Sequence, residues 1–291
     1  MTVKTWLSYS VSMTRSDRGG QAMTSSCLVA TAYFAHSARP LAHTARVLEE
    51  NDGAEHYHAL ADSIRDAFLG RFHAGGGQLT EETQTAYALA LCFRLIEDDA
   101  QRAEARRRPA VLVAECGHRI GTGFLGTLLV CHALTDTGHV DTAYRLLTQR
   151  SCPSWLYQVD MGATTIWERW DSMLPDGRVN PGEMTSFNHS SFGAVADWIH
   201  RTVAGLEPAE PGYRRLLVRP RPGGDLAWAR AAHETPPGRA ETSWRIEGGT
   251  LLVELLVPPH VTALVDLPGT KPVQVGHGRH SFSTPFPAAT R

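Results

Sequence analysis

The sequence predicts an α+β protein of two domains, a series of helical hairpins followed by an all-β sandwich. From about Gln21 to Gly205, apolar residues recur at steps of three and four, which is typical of amphipathic helices. Short apolar runs separated by Pro and Gly follow, and 291 residues exceed the length of a typical single domain. We therefore assign 1–20 to a weakly patterned N-terminal segment, 21–205 to the helical domain and 206–291 to the β domain.

The composition excludes several classes of partner. The chain has 28 Lys and Arg against 30 Asp and Glu, so it offers no basic stripe for nucleic acid and no polybasic patch for a membrane. Its N-terminus lacks the apolar core of a signal peptide and no window reaches the length of a membrane span, which predicts a cytoplasmic protein. Five widely spaced cysteines form no metal-binding pattern and are expected to be reduced, mostly buried thiols. The expected partner is a neutral small molecule, and no oligomeric state is indicated.

About seven helical segments are expected before the β domain. The first begins near Gln21, and Pro40 is expected to kink or shorten it. The second covers 54–72 and ends at three consecutive glycines, which predict a turn. The remaining segments cover 83–95, 103–116, 124–135, 141–147 and 186–204.

Four strand-like runs are expected after residue 205. They cover 213–219, 242–246, 251–257 and 261–267. Gly248 and Gly249 lie between the second and third runs and predict a hairpin turn.

The chemically richest stretch lies where the helical periodicity disappears. Residues 162–171 read GATTIWERWD, and SFNH follows at 186–189 after a loop rich in Pro and Gly. Tryptophan rings and proton-transfer groups are the mixture that a carbohydrate site needs, and loops between helices are where sites are usually built. The candidate site residues are Glu168, Trp167, Arg169, Trp170, Asp171, Asn188 and His189.

Each candidate also has a purely structural interpretation. Glu168 could pair with the neighbouring arginine or cap a helix, and His189 could be a buried histidine of the core. Trp167 and Trp170 could belong to the core, although the loop position of Trp167 makes it the better candidate for stacking on a sugar. The neighbouring arginine and Asp171 could hold the loop or the carboxylate in place.

The two motifs resemble the C-terminal half of the bacterial α-L-rhamnosidases, which are inverting glycoside hydrolases. The resemblance is carried by GATTIWERWDSMLPDGRVNPGEMTSFNHSSFGAVADWIHRTVAGL and PGYRRLLVRPRPGG, with similar upstream pieces such as TQTAYALAL and GTGFLGT, and it covers roughly 21–267. It implies an (α/α)6 six-hairpin barrel with a trailing β-sandwich, cleavage of terminal α-L-rhamnose from glycosides, and no cofactor.

The resemblance also implies roles for individual residues. Glu168 takes the position of the general base that activates water, and His189 that of a residue contacting the sugar. The substrate site would further include Trp167, Trp170, Asp171, Arg169 and Asn188, and the matching segments place Gln84, Thr122 and Phe124 where they could border the pocket.

The sequence departs from the family pattern in one respect. The family's general acid comes from an upstream string of the form RDERLGW followed by Gly-Asp, and this string does not occur in the chain. About seven helices are also fewer than six hairpins need. These observations predict an incomplete barrel, as from a truncation or a wrong start, with slow or no hydrolysis by this chain alone. The alternative is a non-catalytic remnant that binds carbohydrate.

Overall fold

The computed structural model describes residues 24–286, so the predicted N-terminal segment at 1–20 lies outside the described residues. The chain divides into two compact units, Met1–Ala194 and Val195–Arg291.

The first unit opens with a hairpin of two long helices, α1 (Ser26–Val47) and α2 (Asn51–Phe72). Ser25 caps α1, because its hydroxyl accepts the backbone N–H of Leu28. Small and apolar residues on one face of α1, among them Leu28, are buried where α1 packs along α2.

Pro40 does not shorten the first helix, since α1 continues past it to Val47, and the alternative expectation of a kink stays a prediction. Pro40 lacks an N–H, so the carbonyl of His36, four residues earlier, loses its helical partner. Both residues are exposed, and water can therefore satisfy that carbonyl.

Six shorter helices and a small hairpin follow. The hairpin pairs β1 (His73–Gly75) with β2 (Gln78–Leu79) across the predicted glycine turn, where all three glycines have positive φ. The helices are α3 (Gln84–Cys92), α4 (Asp99–Ala105), α5 (Arg108–Glu115), α6 (Phe124–Asp136), α7 (Val140–Leu147) and α8 (Trp155–Asp160).

The number of helices differs from the sequence prediction in two places. The segment predicted at 103–116 is two helices, because Pro109 begins a new one in the first turn of α5. The short helix α8 was not predicted. Residues 24–160 therefore contain eight α-helices.

The first unit ends in a long irregular segment and one 3₁₀ turn, Ser191–Ala194. The helix predicted at 186–204 was wrong in its first five residues, because 186–189 pair instead with 166–168. The helical path continues into the second unit as α9 (Val195–Trp198) and a π-helical turn, Ile199–Val203.

The second unit contains two four-stranded sheets. One has the strand order β3-β4-β8-β9 and the other β10-β7-β6-β5. The strands are β3 (Leu206–Pro208), β4 (Arg215–Val218), β5 (Trp228–Thr235), β6 (Gly238–Glu247), β7 (Thr250–Val257), β8 (Thr262–Val265), β9 (Val273–Val275) and β10 (Gly278–Pro285).

All four predicted strand runs are confirmed, and they correspond to β4, β6, β7 and β8. The hairpin between β6 and β7 is also confirmed, since Gly248 and Gly249 have φ values of 55° and 75°, as a type I′ turn requires. Strands β3, β5, β9 and β10 were not predicted.

The β10-β7-β6-β5 sheet has one apolar and one polar face. Alternate residues of β7, from Leu251 to Val257, are buried, while Glu254 between them is exposed. Trp244 of β6 points to the apolar face, where its indole N–H donates to the carbonyl of Val203 at 2.6 Å. None of the helices between residues 24 and 286 is both long and apolar enough to cross a membrane.

Candidate functional site

The two sequence motifs lie side by side in the first unit and run antiparallel. The backbone N–H of Glu168 donates to the carbonyl of Ser186 at 2.9 Å, and the N–H of His189 donates to the carbonyl of Ile166 at 2.7 Å. This short ladder brings together two segments that a loop of irregular structure separates in sequence. Glu168 and His189 are therefore carried on neighbouring stretches of backbone.

The Glu168 carboxylate is held through one of its two oxygens. Its Oε2 accepts the backbone N–H of Ser186 at 3.2 Å, so Ser186 contacts both the backbone and the side chain of Glu168. The side chain is partly exposed, and no other group among residues 24–286 bonds its Oε1. One oxygen is thus fixed while the other is open to water or a ligand.

The His189 ring is oriented by one stacking contact and one hydrogen bond. It stacks on Phe124, the first residue of α6, with ring centroids 4.9 Å apart and planes 17° from parallel. Its Nδ1 lies 3.3 Å from the backbone N–H of Ser191 and accepts it, so in the neutral ring the proton is on Nε2. The partly exposed imidazole therefore presents an N–H donor.

Both tryptophans of the motif are buried, with exposed fractions of 2% for Trp167 and 5% for Trp170. Trp167 meets Phe187 edge to face. Trp170 stacks on Phe192 at 3.8 Å and meets Trp155 at 89°. Both rings therefore pack against other aromatic side chains in the interior. Their contact with a sugar stays a prediction.

Arg169 and Asp171 form a buried ion pair that organises the following loop. The guanidinium of Arg169 donates from Nε and Nη2 to the two carboxylate oxygens of Asp171, at 3.0 and 3.2 Å. Its Nη1 donates to the carbonyl of Glu183 at 3.1 Å, and Asn180 Nδ2 donates to Asp171 Oδ2 at 2.9 Å. We call Arg169, Asp171 and Asn180 the arginine clamp. It ties both ends of the loop together, as the structural interpretation of the two charged residues expected.

Two further residues complete this arrangement and were not singled out from sequence. Gln158 of α8 donates from Nε2 to the buried carbonyl of Arg169 at 3.1 Å. A Cβ atom on Gly182 would lie 2.6 Å from Nη1 of Arg169, so any other residue there would displace the guanidinium from its present position. Gln158 and Arg169 donate to the backbone carbonyls of Arg169 and Glu183. Bonds to backbone groups leave no periodic pattern in a sequence.

The remaining candidates are spread over different environments. Asn188 is exposed, and its side chain lies in solvent. Its backbone N–H donates to the hydroxyl of Ser186, and its carbonyl accepts a bond from the same hydroxyl. Phe124 lies against His189, whereas Gln84 and Thr122 are buried. Gln84 bonds the backbone of Arg119 and Gly121, so its side chain has a structural role.

The chemistry available at this site is that of a carboxylate and an imidazole N–H. Burial, together with the charge of Asp171, raises the pKa of the Cys152 thiol to about 12, so this cysteine stays protonated and is no nucleophile. No group of three or more His, Cys, Asp or Glu side chains that could hold a metal ion is found among residues 24–286. The arrangement suits proton transfer to Glu168 and hydrogen bonding of a hydroxyl by His189.

Two family profiles match the chain. The bacterial alpha-L-rhamnosidase 6 hairpin glycosidase domain matches residues 3–203, and the bacterial alpha-L-rhamnosidase C-terminal domain matches residues 205–282. Among curated proteins, the chain is 44% identical over 255 residues to an alpha-L-rhamnosidase of Streptomyces avermitilis and 39% identical over 246 residues to one of Formosa agariphila. These matches cover 88% and 84% of this chain but 24% and 26% of the relatives, so the chain spans about a quarter of their length.

Solved structures agree with the sequence matches. The native rhamnosidase of Aspergillus terreus superposes with a TM-score of 0.87 at 41% identity, over 89% of this chain and 30% of that one. The Streptomyces avermitilis enzyme complexed with L-rhamnose gives 0.85 at 40% identity, over 90% and 27%. The predicted fold class, six-hairpin helices followed by a β-sandwich, is confirmed. The chain belongs to the bacterial α-L-rhamnosidase family.

Proposed function

We propose that this chain contributes the water-activating side of an inverting hydrolysis that releases terminal α-L-rhamnose from glycosides. The observation that carries the proposal is the Glu168 carboxylate, with one oxygen fixed by Ser186 and the other open, next to the segment that presents His189. Relatives named alpha-L-rhamnosidase, and a relative's structure with L-rhamnose, support a carbohydrate as the substrate.

In this mechanism Glu168 removes a proton from water as the water oxygen attacks the anomeric carbon. The bond from that carbon to the leaving oxygen breaks on the opposite face, so the configuration inverts. His189 donates its Nε2–H to a sugar hydroxyl and holds the ring in place. The leaving oxygen needs a proton from a second carboxylic acid, which in inverting enzymes lies about 6.5–9.5 Å from the base.

Whether this chain hydrolyses a rhamnoside by itself depends on the leaving group of that substrate. The acid-bearing string expected from the family does not occur in the 291 residues, so we expect slow hydrolysis of ordinary glycosides. A 2,4-dinitrophenyl group leaves without a proton, and its α-L-rhamnoside therefore needs only the base. We expect release of dinitrophenol from this substrate and much slower cleavage of methyl α-L-rhamnoside.

The Glu168→Gln variant tests the assigned base. Its rate on the dinitrophenyl substrate should fall by about 10²- to 10⁴-fold, the usual contribution of a general base. The matched control is Glu183→Gln, which removes an exposed carboxylate from the same loop and should leave the rate unchanged. Equal rates for Glu168→Gln and the unmodified chain would remove Glu168 from the mechanism.

A second candidate function is carbohydrate binding without hydrolysis, which the missing acid-bearing string favours. Calorimetry with L-rhamnose and the dinitrophenyl assay together separate the two, because a binding fragment would take up the sugar but release no dinitrophenol. The cytoplasmic location, the absence of nucleic-acid and membrane partners, and the domain boundary near residue 205 stay predictions from sequence.

A further inference from the structure

The polar face of the β10-β7-β6-β5 sheet carries side chains in ordered rows across its four strands. In one row Arg230 of β5 is opposite Ser243 of β6, which is opposite Glu254 of β7. In the next row Glu241 of β6 is opposite Leu256 of β7, which is opposite Arg279 of β10. Because strand side chains alternate between faces, these six residues share one face of the sheet.

These two rows line a depression of about 340 Å³. Backbone of Thr242 and Leu255 completes its floor, since both residues have side chains that are buried on the opposite face. The volume is at the small end of the range for sites that bind small molecules, about 300–1,000 Å³. It matches one or two sugar rings better than a longer ligand.

A tryptophan lies beside the depression on the same face. Trp228 is two residues before Arg230 on β5 and is opposite Arg245 of β6, in the row adjacent to the depression. Its exposed fraction is 68%. Among the large apolar side chains of the described range, only Val47 is as exposed. An exposed indole offers a flat apolar face and an N–H donor, which suits packing against the C–H face of a sugar ring.

The charges of the depression balance. Arg230 and Arg279 supply two positive charges, and Glu241 and Glu254 supply two negative ones. Glu241 pairs with Arg230 at 3.4 Å and also with Arg239, and Glu254 pairs with Arg245 at 3.7 Å, whereas no ion pair of Arg279 is found within residues 24–286. The site thus offers both donors and acceptors but no net charge, which favours an uncharged ligand with many hydroxyl groups over an anion.

We propose that this polar face is a second carbohydrate site, which binds a neutral oligosaccharide. The flat C–H face of one sugar ring would pack on the indole of Trp228, and the hydroxyls of the next ring would bond Arg230, Glu254 and Arg279 in the depression. This site lies in the second unit and uses none of the residues assigned to hydrolysis.

Affinity electrophoresis of the full chain tests the proposal. Native gels contain a soluble β-glucan, a galactomannan or a polysaccharide rich in L-rhamnose, and we expect at least one of them to retard the unmodified chain. Trp228→Ala should weaken the affinity calculated from the retardation at least tenfold, since truncating a tryptophan that packs on a ligand has effects of this size. Trp228→Tyr keeps an aromatic face and should retain most of the binding.

The controls separate this site from the proposed catalytic one. Val273→Ala removes an exposed apolar side chain from the other sheet, and Glu168→Gln removes the assigned base; both should bind the polysaccharide normally. Trp228→Ala should keep the unmodified rate on the dinitrophenyl substrate. The proposal is overturned if no polysaccharide retards the unmodified chain, if Trp228→Ala is retarded equally, or if Glu168→Gln abolishes the retardation. A failure to hydrolyse would not affect these outcomes.

Discussion

Two regions of the first unit hold their side chains in position by different means. In the helices between residues 26 and 147, backbone groups bond within each helix and the buried side chains are mostly apolar. In the segment 162–190, the backbone has almost no regular structure, and polar side chains such as Arg169, Asn180 and Gln158 add bonds to a few backbone pairs. The proposed site lies in the second region.

The difference shows what each region can tolerate. Apolar packing is non-directional, so helices can lose a contact and keep the orientation of their neighbours. Hydrogen bonds and buried ion pairs are directional, and removing one partner leaves the other unsatisfied. Substitutions in the helices should therefore change stability alone, whereas those in the loop should change stability and the site together.

The largest effect is expected for Arg169→Ala. It leaves the carboxylate of Asp171 without its cation and frees the loop, and breaking a buried ion pair on one side costs about 3–5 kcal/mol. Arg169 is 8% exposed, so solvent screens the pair little. We expect a lower urea midpoint and loss of L-rhamnose binding by calorimetry.

A matched control for Arg169→Ala is available in the same loop. Arg178 pairs with Asp176 at 2.7 Å, but both side chains are exposed, so Arg178→Ala should not measurably change the unfolding midpoint. If the two variants unfold alike, the arginine clamp does not stabilise the loop.

A somewhat smaller effect is expected for Leu134→Ala in α6. Leu134 is fully buried, and truncating a buried leucine destabilises a protein by about 2–5 kcal/mol. Leu128→Ala in the same helix removes a side chain that is 36% exposed and should cost less than about 1 kcal/mol. Under conditions where Leu134→Ala is folded, its affinity for L-rhamnose should be unchanged; a weaker affinity would contradict the separation of the two regions.

Sequence alone predicted the helical region better than the loop, for physical reasons. Burial of one helix face imposes a period of 3.6, which made α1 and α2 visible. The six-residue helix α8 is too short to show a period. The sequence predicts a helix over 186–190, whereas Ser186 and His189 bond the backbone of Glu168 and Ile166, and a long-range pairing of this kind leaves no local pattern.

The same reasoning applies to the candidate residues. The motif identified Glu168, His189 and the charged pair, and the structure brings these together. It did not identify Asn180 or Gln158, because an amide that bonds a neighbouring carbonyl or carboxylate looks like any polar loop residue. It also did not show that both motif tryptophans are buried, since burial depends on Phe187 and Phe192 from the second segment.

An intermediate effect is expected for Asn180→Ala. Its amide bonds the charged Asp171, and losing such a bond at a partly exposed position should cost about 1–2 kcal/mol. Asn188→Ala is the contrasting variant, because the Asn188 side chain lies in solvent and its loss should change stability by less than about 0.5 kcal/mol. Thermal unfolding compares the two, and equal destabilisation would argue against the arginine clamp as the loop's main support.

The smallest effect concerns the cysteines, which are all free among the described residues. Cys27 on α1 is exposed, whereas burial raises the pKa of Cys131 on α6 from 9.0 to about 12. The thiolate is the reactive form, so at pH 8 a disulfide reagent should modify Cys27 at once and Cys131 only as the chain unfolds.

The pH dependence of this reactivity has a definite sign. A folded pKa raised above the unfolded one means that the protonated thiol stabilises the fold fully below about pH 9, and that this contribution is lost as the pH rises toward 12. Stopped-flow kinetics with the Cys27→Ser variant should show no fast phase at pH 8. A fast phase that persists would place a second reactive thiol on the surface.

Contact with Arg169 limits which residues can replace Gly182 in this chain. Its backbone does not have the positive φ that commonly explains a glycine in a turn, and the space for its missing side chain is occupied by the guanidinium of Arg169. Asparagine, which often replaces glycine in left-handed turns, would therefore displace this guanidinium, as any residue with a Cβ would. A smaller residue at position 169 would remove this conflict, so the two positions are expected to change as a pair.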